Sequence, residues 1–193
     1  MSAGDRRLVR EAVAAYFGGT ENTADAGIYF QGGPLASAGL GTAYPYLIKG
    51  GAPDGFYTVG EPAGTGWGAV LTVHLAPVKI TRDSMGGLTS GWRERHYTTR
   101  CSFDVLSYEP HLETAQAGLD DLLDAFLALI YADRTLGTTN AILYPVTGRL
   151  ITQAGEGRSG IDIGEPQWTV SGDRGLGEGG IDITFDVLTM VAA

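Results

Sequence analysis

Residues 110 to 133, PHLETAQAGLDDLLDAFLALIYAD, constrain the fold more than any other stretch of the chain. Leu112, Ala115, Leu119, Leu122, Leu123, Phe126, Leu127 and Ile130 recur at three- and four-residue spacings, while Glu113, Gln116, Asp120 and Asp124 fall on the other side. That period predicts an amphipathic helix, with Pro110 in its first turn and Gly137 as its stop. So broad an apolar stripe has to be covered, and the flanking sequence supplies strands to cover it.

Strand alternation is clear at residues 68 to 83, where Leu71, Val73 and Leu75 alternate with Val70, Thr72 and His74. MGGLTSG then reads as a turn or flexible tip, and the run WRERHYTTRCSFDVLSY alternates again, its odd-numbered positions from Tyr97 onward forming the buried face. Near the end, Ile181, Ile183, Phe185 and Val187 alternate with Asp182, Thr184 and Asp186, the pattern of a strand with one wet face. A second helix is predicted over residues 5 to 17, where Leu8, Val9, Ala12, Val13, Tyr16 and Phe17 share a face, with Asp5 ahead and Gly18-Gly19 behind.

Between these elements the pattern loosens, and composition explains why. The 193 residues include 30 glycines, about twice the usual share of roughly 7%. Residues 18 to 66 read as loops and short strands with aromatic runs at IYF and YPYLI, and SGDRGLGEGG, residues 171 to 180, as a long hairpin tip. The fold class predicted is α+β: a mainly antiparallel sheet covered on one face by the long helix and the N-terminal helix, with long Gly-rich loops. One domain over 1 to 193, carrying a Gly/Pro-rich insertion or arm at about 18 to 66, fits the length.

Charge narrows the function. The 22 acids outweigh 13 bases for a formal charge of −9, and no stretch gathers Lys or Arg into a phosphate-gripping patch. Specific nucleic-acid binding is not predicted, although an acidic surface suits a channel that DNA passes through without being held. The lone Cys101 precludes a disulfide framework and a cysteine zinc cage. The charged start MSAGDRRLVREAVAAYFGG is not a secretory signal, and no 18-residue apolar run occurs, so a protein free of the membrane is expected. Eleven of the thirteen bases are Arg, which suits protein interfaces or a high-GC genome equally.

The motifs that resemble chemistry do not assemble into a site. Gly155-Glu-Gly157-Arg-Ser-Gly160 spells G-x-G-x-x-G, but the strand-like Ile161-Asp-Ile163 follows it where a phosphate loop needs a helix; Gly175 to Gly180 repeats the spelling before another strand. Cys101 and His96 lie five residues apart on one strand and so point to opposite faces, which predicts a structural thiol. His74 and His111 begin no metal spacing. Asp182 and Asp186 share a strand face but stand about 13 Å apart, beyond the 5 to 9.5 Å of a glycosidase pair. Asp120, Asp121 and Asp124 read as wet-face charges, or as the wall of an acidic lumen or a subunit contact. No G-x-S-x-G elbow exists. The sequence therefore predicts no catalytic, cofactor-binding or metal-binding residues, no cofactor, and no enzyme.

The order of elements resembles the tail terminator proteins of long-tailed bacteriophages, small α/β subunits of a ring that closes the head-proximal end of the tail tube. The resemblance rests on residues 5 to 17 and 92 to 191: a first helix, a strand such as RCSFDVLSYE, the helix of residues 111 to 133, and a last strand GIDITFDVLTMV. It implies a virion protein made in the host cytoplasm and assembled as a homo-oligomeric ring, a hexamer by analogy. It further implies a tail-tube protein and a head-completion connector as partners, with DNA passing through the lumen unbound. Residues 18 to 90 are longer and richer in Gly than a minimal member needs, which makes them an insertion, a tube-contacting arm or a departure from the family. Two other readings suit the same layout: another head-tail connector or tail-tube subunit, and a small-molecule binding protein or enzyme with a deep polar pocket.

Overall fold

The computed structural model describes residues 5–24, 27–46, 67–75, 79–84, 90–107, 112–133, 136, 149–151, 162–165, 167–171 and 176–192. Among the described residues there are two α-helices, α1 (Asp5–Gly18) and α2 (Leu112–Ala132). The strands that precede α2 are β1 (Gly19–Ala24), β2 (Gly27–Gly32), β3 (Leu40–Tyr44), β4 (Trp67–Leu75), β5 (Lys79–Ser84) and β6 (Ser90–Ser107). Those that follow are β7 (Arg149–Ile151), β8 (Asp162–Ile163), β9 (Gln167–Ser171) and β10 (Leu176–Ala192). The class is α+β.

Among the described residues the strands form one mixed sheet in the order β1-β2-β3-β4-β6-β10. β3 and β4 run parallel, and the other described pairs are antiparallel. β6 and β10 are its spine, in register from Leu176 opposite Leu106 to Ala192 opposite Ser90. Shorter strands flank that spine in tandem. β4 and then β5 line one side of β6, while β9, β8 and β7 line successive stretches of β10.

The apolar periodicities meet in one core. Val9, Val13 and Phe17 from α1 join Leu119, Leu122, Phe126 and Ile130 from α2 over Ala69, Leu71 and Val73 of β4, all buried. The Phe17 and Phe126 rings stack at 4.3 Å between centroids, and the Tyr16 hydroxyl donates to the Leu129 carbonyl at 3.1 Å, so the helices grip each other as well as the sheet. Burial of each such aromatic or leucine side chain contributes about 1.5–3 kcal/mol. α1 lies along β1 to β4 and α2 along β4, β6, β9 and β10, which sets the helices side by side toward opposite flanks.

Within the segment read as loops and short strands, residues 19–24, 27–32 and 40–44 form β1, β2 and β3, and Phe30, Leu35, Leu40 and Ala43 enter the common core. The rest of the glycine-rich segment, 47 to 66, lies outside the described residues. The expected hairpin tip at 171 to 180 is corrected: Ser171 ends β9 and Leu176–Gly180 begins β10, leaving only 172 to 175 outside the described residues. Gly177, Gly179 and Gly180 sit between β6 and β9, where main-chain pairing on both sides holds a strand that no side-chain pattern announces.

Glycine has a specific task where α1 meets the β2–β3 turn. The Gly33 amide donates to the Gly18 carbonyl at 2.9 Å. A Cβ on Gly18 would fall 2.6 Å from that of Ala43, and one on Gly33 would fall 2.5 Å from the Gly18 carbonyl carbon. Gly19, at φ +96°, then turns the chain out of the helix into β1.

Candidate assembly surfaces

Register pairs the residues that the sequence singled out in ways that spacing alone could not. In β6, Cys101 stands opposite Ile181 and Val73, and His96 opposite Asp186 and Lys79. Arg100 stands between Asp182 of β10 and half-buried His74 of β4, so Asp182 has a cationic neighbour in its own row. Opposite charges in adjacent register positions suit sheet pairing, not proton transfer between the two acids. Asp182 and Asp186 remain four strand positions apart. The second glycine motif leads into β10 and not a helix; the first, at 155 to 160, and His111 lie outside the described residues. Among the described residues no three His, Cys, Asp or Glu side chains come together as a metal site.

A surface that the sequence showed only as two aromatic runs emerges where β2 and β3 meet. Phe30 and Ala43 pair and point into the core, so Tyr29, Gln31, Thr42 and Tyr44 belong to the other face of the sheet. There the Gln31 amide donates to Thr42 Oγ1 at 3.0 Å, and Tyr44 lies 6.1 Å from Tyr29 and 5.7 Å from Tyr46 between ring centroids. Burial pushes the Tyr44 and Tyr46 phenols above their ordinary range, and the neighbouring rings add to the effect on Tyr44. The Tyr46 hydroxyl is buried and has no hydrogen-bond partner among the described residues. Phenols held in their neutral form are poor bases, whereas rigid amphipathic rings suit a contact surface.

The outward side of α2 is the second surface. Asp120, Asp121 and Asp124 are exposed together with Ala117 and Ala128, and Tyr131, at 62% exposure, is the large exposed hydrophobic residue of the described chain. The helix carries four acids and no Lys or Arg. By contrast α1 offsets its own charge on its solvent side, where Arg7 and Glu11 pair at 2.6 Å.

The sheet edge is the third. β1 has β2 as its neighbour among the described residues, and its exposed Thr20, Glu21 and Thr23 keep that edge polar. A polar, charged rim limits indiscriminate strand pairing while leaving main-chain groups available. Among the described residues no helix is long and apolar enough to cross a membrane. No protein-family model matches the sequence, and a search of curated proteins finds no relative.

Proposed function

We propose that this protein is the subunit of a homo-oligomeric ring that caps the head-proximal end of a bacteriophage tail tube and joins it to the head-completion complex. The supporting observation is the order α1, β6, α2, β10, the layout in which the sequence resembles tail terminator proteins, with α1 and α2 sharing one core and α2 lying along β6 and β10. In this reading α1 and α2 form the layer that covers one face of a mainly antiparallel sheet, and the whole chain is one domain. The polar β1 edge, the tyrosine patch and the acidic side of α2 serve as assembly surfaces instead of substrate sites. The net charge of −9 suits a lumen through which DNA slides without being held. No catalytic step, metal or cofactor enters the mechanism: the protein acts by closing a ring and presenting different faces to tube and connector.

The test is mass by light scattering behind a sizing column over a concentration series, with negative-stain images of the peak and of tail tubes mixed with the protein. Closed rings that bind one tube end are the expected outcome. Long open cylinders would replace this reading with a tail-tube subunit, and a protein that neither self-associates nor binds tube ends would overturn it.

A further inference from the structure

The charges of this chain are segregated by position. Toward one end of the β6–β10 spine, the stretches 79–84, 90–98, 149–151 and 184–192, with Asp162 in register at Thr184, carry Lys79, Arg82, Arg93, Arg95 and Arg149 against four acids, Asp83, Glu94, Asp162 and Asp186. One row of the register reads Arg149, Thr189, Arg93, Asp83. In a chain with a net charge of −9 this is a local excess of positive charge. It stands ten positions along β6 from Phe103, which is in register with core residue Leu71, a separation of about 34 Å.

The outward side of α2 is the complement. Asp120 and Asp124 are one helical turn apart, a like-charge spacing that costs a helix a few tenths of a kcal/mol. Both are exposed with Asp121, and none of the three has an ion-pair partner among the described residues. Their own sheet lies behind the helix, against Leu119, Leu122, Leu123 and Phe126. The side of α2 that bears the charges is thus turned away from the sheet of its own subunit.

We infer that the basic end of the sheet in one copy docks on the outward face of α2 in the next copy. The inference rests on the ring reading and names the surfaces that close the ring. Two different patches meet, so the contact is heterologous, the type that generates rings when the rotation closes. Exposed Tyr131 and the small Ala117 and Ala128 flank the acids, which gives the contact an apolar margin beside its charges.

The experiment compares assembly of the wild-type chain, an Asp120→Lys/Asp124→Lys variant, an Arg93→Glu/Arg149→Glu variant, and an equal mixture of the two variants. Sizing with light scattering reads association, and circular dichroism melting checks that each variant folds. We expect each variant alone to associate at least about tenfold more weakly than wild type, and the mixture to recover assembly because each reversed surface then meets its complement. Wild-type association should weaken between low and high salt. Wild-type rings with variants that assemble equally well would overturn this contact alone, as would a mixture that stays dissociated. If the sheet variant does not fold, the helix variant decides, since its two positions are exposed, and unchanged assembly of that variant overturns the contact. A wild-type chain that never associates and binds no tube end overturns the ring reading itself.

Discussion

Phe126 is buried, stacks on Phe17 and belongs to the core that joins both helices to β4. Phe126→Ala is therefore expected to lower unfolding free energy by about 3–5 kcal/mol, measured as a shift of the urea midpoint with unchanged slope. The Gly18/Gly33 crossing predicts a different penalty. Gly33→Ala places a methyl group against backbone that cannot retreat, so the protein should melt well below wild type. Gly32→Ala, with open space around its Cβ but φ +71°, should cost only the left-handed strain of about 1–2 kcal/mol. The tyrosine patch adds a pH signature. Because the Tyr44 and Tyr46 phenols are raised in the folded protein, their contribution is fully present below pH 10, where the unfolded phenol titrates, and is lost as pH rises toward the folded values. A melting series from pH 8 to 11 should fall at its alkaline end, and Tyr44→Phe/Tyr46→Phe should flatten that fall. The apolar stripes already placed Phe17 and Phe126 on buried faces, but the tyrosine contacts were not legible beforehand. The aromatic runs IYF and YPYLI were visible, but only the pairing of β2 with β3 brings Tyr29 to Tyr44.

At the scale of the element, legibility follows the range of the signal. The two helices and the strands β4, β6 and β10 carry apolar periods within a single window, and the α+β class follows from them. β1, GTENTA, carries no apolar alternation, and its pairing with β2 rests on main-chain hydrogen bonds that sequence pattern does not encode. The first five residues of β10, LGEGG, are strand because β6 and β9 flank them, a long-range cause for a local state. For the candidate surfaces the same division holds. The acids of α2 could be placed on the wet side from spacing, but the row of Arg149 and Arg93 exists only through register between strands distant in sequence. The like-charge pair also gives a prediction for the element by itself. Asp124→Ala removes one member and improves helix propensity, so the dissociated protein should gain about 0.5 kcal/mol at low salt, read by thermal unfolding. If α2 docks on a neighbouring copy, the same change should weaken association.

For the whole molecule, the sheet spine fixes when the fold can be completed. β10 is the neighbour of β6 along the full length of the pair, yet 68 residues of chain separate Ser107 from Leu176. During synthesis at about 5–20 residues per second, β6 has left the ribosome for roughly 3–14 seconds before its partner begins to follow. Over that interval an 18-residue strand has one side without its native partner. Completion of the body is thereby delayed until β10 is made, and any surface that depends on both strands exists only once β10 has emerged. A nascent chain stalled before Leu176 should accordingly be protease-sensitive across β6, and release of β10 should abolish that sensitivity. The long strand pair thus acts as a clock on the ribosome: subunits cannot join through the far end of the spine before β10 has emerged.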